Sequence, residues 1–344
     1  MSDKTPRLHS ILPFLSILLL LLCTGWAETA TAQRSLIPSL GDSRSGTSGF
    51  QFLKINPDAR SAGLGGANVA DAADGSALYL NPALAAQMSG NQVYIGHTQY
   101  FTDITLNYAS YVHRYRGMAF GGSLMYLDSG EMDETNEFFP TGTGRTFRTV
   151  HLAAGLSFAQ ELSNLFSYGI SAKYLDERIE EVESQSVVFD IGFFYRVGDT
   201  GLRFAVGLNN FGFDATPEGE TTRQTLDGEV VETDFEDVSP PTMFLIGAAY
   251  ETYTTDDFSV TTFAQITNPS DNAERFSFGA ELDYINQFFI RGGYEFGVDE
   301  AVLPSFGAGF KLPISRGYRL GIDYGFSTRD RLGSMHRFAL KFDL

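Results

Sequence analysis

The chain has almost no sulfur or indole chemistry: its single cysteine is Cys23 and its single tryptophan is Trp26. Both precede residue 33, so a chain processed there has neither a disulfide nor a thiolate metal site. Basic residues are also scarce, with Lys and Arg totalling 24 against 42 Asp and Glu, a formal net charge of −18. A nucleic-acid backbone is bound with Lys and Arg, and this balance excludes that partner. The histidines beyond the leader, His97, His113, His151 and His336, are scattered, and no pair has a spacing used for metal or proton transfer. With no G-x-S-x-G elbow and no thiol nucleophile, no catalytic residue, metal or cofactor is assigned, and the chain is read as a non-enzyme. Beyond the leader no run approaches roughly eighteen consecutive apolar residues, which excludes a helical membrane protein.

What is present is aromatic: 14% Phe, Tyr and Trp, with only 19% charged residues. That balance excludes disorder and favours strands. Lys4 and Arg7, the apolar run 11–22 and Ala30-Thr31-Ala32 form a secretory signal, predicting removal of 1–32 and a mature start at Gln33. An exported, aromatic-rich chain without membrane helices is either an exported soluble β protein or an outer-membrane barrel.

From Asn91 to the end, period-two alternation dominates. Phe276, Phe278, Ala280, Leu282 and Tyr284 point one way, and Arg275, Ser277, Gly279, Glu281 and Asp283 the other. Strands are predicted at about 91–101, 103–114, 116–127, 147–160, 164–177, 186–197, 201–211, 242–253, 257–267, 274–285, 287–297, 304–313, 317–327 and 335–344. Fourteen strands of this length suit a closed barrel crossing an outer membrane at a tilt. Every second connection is brief, and the alternate ones include 128–146, 177–185, 212–241, 268–271 and 329–334. Bacterial barrels segregate loop length this way, which predicts both termini in the periplasm and the long connections outside. Phe338, Leu340, Phe342 and Leu344 supply a closing strand, so that no edge is left in lipid. Tyr94, Tyr100, Phe101, Tyr115, Tyr195, Tyr250, Tyr253 and Tyr284, at strand ends, read as interfacial girdles. The connection 212–241 carries Asp227, Glu229, Glu232, Asp234, Glu236 and Asp237, a solvated acidic loop or a contact for a partner or a hard cation.

One stretch does not alternate. Residues 57–85 are rich in Gly and Ala, with Gly63, Gly65, Gly66 and Gly75 permitting close backbone approach. Gly63-Leu64-Gly65-Gly66 lacks the third glycine, the preceding strand and the lysine of a phosphate cradle, so packing against a barrel wall is expected instead. Asp71 and Asp74 are expected to cap a turn or to pair with inward arginines such as Arg275, Arg291 and Arg319.

The run from Phe52 to Ala67, including Asp58, Arg60, Gly63, Gly65 and Gly66, followed by Ala70-Asp71-Ala72-Ala73-Asp74 and by Tyr79-Leu80-Asn81-Pro82-Ala83, resembles the N-terminal signature of the PorV/PorQ family, relatives of FadL-type fatty-acid channels. The likeness extends to Tyr126-Leu127-Asp128-Ser129-Gly130-Glu131-Met132 and Leu208-Asn209-Asn210-Phe211-Gly212, and departs at Leu80, where many relatives have Trp. The resemblance implies an all-β, fourteen-stranded transmembrane barrel over 91–344, plugged by an N-terminal segment over 33–90, in the outer membrane of a Gram-negative-type bacterium. It also implies an accessory or shuttle role in type IX secretion, with outer-membrane lipid and lipopolysaccharide around the wall and with translocon subunits and cargo C-terminal domains as partners. A FadL-like channel for apolar solutes, gated by 63–83, is the alternative. A structural subunit of a larger envelope complex is a third reading.

Overall fold

Alternation makes a strand two-faced, and an antiparallel sheet of two-faced strands in lipid has to close on itself, because an unpaired edge would leave N–H and C=O groups without partners. The computed structural model, which describes residues 48–72, 74–135, 137–219, 222–224, 230–232, 235–297, 303–315 and 317–344, shows that closure. Its fourteen barrel strands are β1 (Gln92–Gln99), β2 (Thr105–Tyr115), β3 (Met118–Asp128), β4 (Thr149–Ser163), β5 (Phe166–Ile179), β6 (Val182–Arg196), β7 (Leu202–Gly212), β8 (Met243–Thr254), β9 (Phe258–Pro269), β10 (Arg275–Tyr284), β11 (Phe288–Phe296), β12 (Ser305–Ser315), β13 (Tyr318–Arg329) and β14 (Gly333–Asp343). Each pairs antiparallel with its neighbours in sequence. The ring closes between β1 and β14, with Gln92 opposite Asp343 and Gln99 opposite His336.

The outer face is apolar: Leu156 is 75% exposed, Ile290 65% and Phe278 53%. Their strand neighbours Ser157, Arg291 and Ser277 turn inward and are buried. The predicted faces of β10 are therefore the observed ones. Tyr115, Tyr195, Tyr250, Tyr253 and Tyr284 are exposed near the short-turn ends of their strands, as a girdle requires. Tyr94 is a correction, since it is fully buried and faces inward. In β1 the neighbours Val93 and Tyr94 are both bulky, so alternation alone does not say which one meets lipid.

The connections after β2, β4, β6, β8, β10 and β12 lie at one end and are all brief, whereas the two longest, after β3 and β7, lie at the other. The expected outer connection 177–185 is instead strand to within two residues, because β5 and β6 continue as a hairpin that turns at Glu180 with φ 55°. Residues 132–133 pair with 146–147, and 222–224 with 230–232, as small ribbons in the two longest connections. Ser48 bridges Ser239 at the long-connection end, while the expected N-terminus at Gln33 lies outside the described residues. The signal sequence at 1–32 lies outside the described residues.

The lipid-facing assignment predicts that Leu156→Arg destabilises the barrel by roughly 2–4 kcal/mol in a bilayer, whereas Ser157→Ala on the inward face costs only about 1 kcal/mol, for the hydrogen bond of 2.7 Å to Ser171. Urea unfolding in lipid vesicles measures both. An unchanged Leu156→Arg would mean that this face does not meet lipid.

Candidate functional site in the barrel lumen

Residues 50–72 and 74–88 lie inside the ring, and local sequence shapes them there. The Asp58 carboxylate caps helix α1 (Ala59–Gly63), accepting from the N–H groups of Arg60 at 3.2 Å and Ser61 at 3.0 Å. Gly65 and Gly66 then reverse the chain at φ 65° and 84°, values that cost an L side chain energy. Asp74 accepts from Ser76 N at 3.0 Å ahead of helix α2 (Ala77–Leu80). Asn81 accepts from Ala83 N at 3.0 Å and so caps the short 3-10 helix that opens with Pro82.

The helix α1 side chain that matters most is Arg60. Its guanidinium donates to both Glu281 oxygens, at 2.9 and 2.8 Å, and to the Asp71 carboxylate at 2.9 Å. Glu281 on β10 also binds Arg291 on β11, and Arg291 binds Asp323 on β13. Lys341 on β14 joins Asp323 to Asp74, while on the other side Asp71 accepts from Arg203 on β7 at 3.1 Å. The result is one chain of alternating charge, Arg203–Asp71–Arg60–Glu281–Arg291–Asp323–Lys341–Asp74, running from wall to inner segment, round the wall and back. Asp71 and Asp74 therefore do pair with cations. Their partners are Arg60, Arg203 and Lys341, not the expected Arg275, Arg291 or Arg319. Arg275 and Arg319 are paired with Glu295 and Asp343.

Glycines on the inward face mark where the segment touches the wall. Gly169 on β5 and Gly192 on β6 are register partners. A methyl group on Gly169 would lie 2.5 Å from Ala83 N, and one on Gly192 would collide with the Asn81 side-chain oxygen. Gly279 and Gly293, also register partners, face Leu64, while Gly307 and Gly325 face Gly63 and Ala59. A methyl on Gly63 would lie 2.8 Å from the Gly307 Cα. The two asparagine motifs meet at the first of these seats. Asn81 Nδ2 donates to Phe193 O at 3.2 Å, and Asn209 Nδ2 donates to Tyr79 O and Leu80 O, both at 3.2 Å. Asn209 is in position because β7 bulges there: Phe189 faces Phe211 but Ile191 faces Leu208, and Asn210 takes φ 59°. Asp190 holds the bulge by accepting from Asn210 N at 2.8 Å, and it pairs with Lys173 at 2.8 Å.

Toward the long connections the contact is apolar. Phe50, Phe52 and Leu53 are buried with Leu106, Tyr108, Met125, Leu127, Leu175 and Val188. Phe52 stacks on His151 at 5.3 Å. A polar latch closes this end, with Gln51 donating to Asp271 at 2.8 Å and Lys54 at 3.0 Å. Burial of Asp271 opposes its charge, but the hydrogen bonds from Gln51 and Lys54 and the adjacent ammonium outweigh it and hold the carboxyl below its ordinary value.

Of the acidic loop residues, Asp227, Glu229 and Asp234 lie outside the described residues. Glu232 ends a ribbon strand opposite Thr222. Glu236 and Asp237 are exposed, and Asp237 accepts from Thr216 at 2.5 Å. Among the described residues no group of three or more His, Cys, Asp or Glu is placed to hold a metal ion.

A family profile described as type IX secretion system protein PorV matches residues 39–268. No curated protein matches the sequence. Among solved structures, the CymD monoaromatic hydrocarbon channel has TM-score 0.58 at 15% identity, over 86% of this chain and 97% of its own. The Pseudomonas putida toluene transporter TodX has TM-score 0.59 at 14% identity, over 83% and 96%. A Pseudomonas aeruginosa FadL homologue has TM-score 0.55 at 12% identity, over 84% and 98%. At such identities the likeness is one of fold.

Two measurements test this site. Glu281→Ala removes the carboxylate shared by Arg60 and Arg291, leaving them Asp71 and Asp323 as their acidic partners, and is expected to cost roughly 3–5 kcal/mol, part of which Arg60→Met restores in the double variant; strict additivity would break the proposed coupling. For the Asp271 latch, the folded carboxyl is the stronger acid, so its stabilisation is present above the ordinary value of 3.8 and lost as pH falls below it. The melting temperature of Asp271→Asn should accordingly lie below that of the native chain at neutral pH and converge with it in acid. A gap that persists in acid contradicts the latch.

Proposed function

The chain belongs to the PorV family of type IX secretion system proteins, and on that premise we propose that it is an accessory or shuttle component of protein secretion. In this reading the barrel sits in the outer membrane, and its long connections meet translocon subunits or the C-terminal domains of cargo. The observation that carries it is the division of labour within the molecule. The lumen is occupied by residues 50–72 and 74–88, fixed by ion pairs and glycine seats, so the surface left for function is the outer one. There the connection after β3 displays Phe138 and Phe139, 79% and 58% exposed, beside Glu131, Asp133 and Glu137. An exposed aromatic pair with an acidic surround is the composition of a protein-docking anchor.

The segment acts as a plug in this reading, and secretion does not pass through the barrel. The channel reading draws on the fold shared with hydrocarbon channels, and it requires Asn81–Ala83 to leave their seats. The two readings separate experimentally. Phe138→Ser with Phe139→Ser should leave the barrel folded while reducing co-purified translocon or cargo and depleting the surface-protein profile. An unchanged profile on deleting the whole gene would refute the secretion role. Uptake of a labelled fatty acid into vesicles holding the pure protein, increased by Gly192→Val, would establish the channel instead.

A further inference from the structure

The inner segment has a direction along the barrel axis. At its start, Ser48 bridges Ser239 and Gly49 N donates to Ser239 O at 3.0 Å, while Gln51 and Lys54 hold Asp271. Ser239 and Asp271 belong to the connections after β7 and β9, both at the long-connection end. The segment then descends. Asn56 O accepts from Arg337 at 2.8 Å, Asp58 accepts from Tyr94 at 3.0 Å, and Asp74 pairs with Lys341, nearer the foot of β14. At its end, Ala83 O accepts from Ser167 at 3.0 Å near the start of β5, and Gln87 accepts from Arg196 at 3.4 Å where β6 stops. Finally Leu344 N donates to Asn91 O at 2.8 Å among the short turns.

Fourteen strands return a chain to the side from which it set out. The inner segment adds one more passage, so Ser48 and Leu344 lie at opposite ends of the barrel. Short turns face the periplasm in bacterial barrels. We propose that Ser48, bridged to Ser239 two residues from the exposed Asp237, is an extracellular position, whereas Leu344 is periplasmic. The outer docking surface then includes the N-terminal end of the segment as well as the long connections, and a partner outside the cell has direct access to the latch at Gln51, Lys54 and Asp271. This assignment rests on the barrel and not on the secretion reading.

The absence of cysteine after Cys23 makes the test direct. Single-cysteine variants Ser48→Cys, Thr141→Cys in a long connection and Asp256→Cys in a short turn are treated on intact cells with a membrane-impermeant maleimide, and again after the outer membrane is opened. The expected result is labelling of Ser48→Cys and Thr141→Cys on intact cells, and of Asp256→Cys only after opening. Labelling of Ser48→Cys only after opening would overturn the proposal, whether Thr141→Cys then marks the surface or the barrel proves inverted. Because Ser48 is half-buried, an epitope inserted between Gly46 and Thr47 gives a second reading. Antibody binding to intact cells supports the surface assignment, and binding only after opening defeats it.

Discussion

The pairing of Arg60 with Glu281 is the contact on which the arrangement of the lumen depends. A guanidinium with side-chain exposure of 9% and a carboxylate of 10% are both costly to take out of water, and either alone inside the barrel would be strongly destabilising. Each is tolerated because the other is there with fork-to-fork geometry, and because each has a further partner of opposite sign. The requirement propagates: Glu281 needs Arg291, Arg291 needs Asp323, and Asp323 needs Lys341, until the chain of charges returns to the inner segment at Asp74. A helix of five residues, too short to be stable by itself, is thereby placed in one position.

Charge specifies the position, and the glycines permit it. An inward side chain on β5, β6, β10, β11, β12 or β13 at the level of Gly169, Gly192, Gly279, Gly293, Gly307 or Gly325 would occupy the volume that the backbone of residues 59–83 takes. Glycine weakens a strand interior by roughly 0.5–1 kcal/mol relative to Ala, so a row of paired inward glycines in a barrel is a cost that needs a return. The return is close backbone packing, together with hydrogen bonds from Asn81 and Asn209 that a larger neighbour would separate. Inward glycines that in a list of residues suggest an open pore are, in this molecule, the footprint of a filled one.

Much of this was legible in the chain. Alternation located all fourteen strands, since lipid on one side and a polar lumen on the other enforce period two. The faces of β10 and the packing role of Gly63 and Gly65 also followed from residue types. The charged stretch around Arg178 and Glu183 read as loop because a polar run lacks a lipid face, yet it is strand. It lies at the long-connection rim, where Arg178 is in register with Val150 on β4 and with Glu183 on β6, and an ion pair of 3.2 Å joins Arg178 to Glu183. The partners of Asp71 and Asp74 were illegible for a different reason. Alternation says that Arg203 and Lys341 point inward but not at what height, and height comes only from register around the closed ring. The direction of residues 48–88 was hidden likewise, because loop length orients the strands and carries no information about a segment that belongs to none of them.

Charge bookkeeping also bears on whether the segment braces the barrel or gates it. On the wall, Glu281, Arg291, Asp323 and Lys341 balance one another, and Arg203 has Glu251 at 3.5 Å in addition to Asp71. These wall groups therefore keep partners of opposite sign without the segment. The segment carries more acid than base: Asp58, Asp71 and Asp74 stand against Arg60 and Lys54, and Lys54 is taken up by Asp271 of the wall. The dependence is thus one-sided. The ring keeps these pairs whether or not the segment is present, while Asp74 finds its cation only where Lys341 of the wall meets it. Such an element is withdrawn only by an influence that supplies cations or opens the acids to water, and the place where water and partners reach it first is the latch at Lys54 and Asp271 beside the long connections.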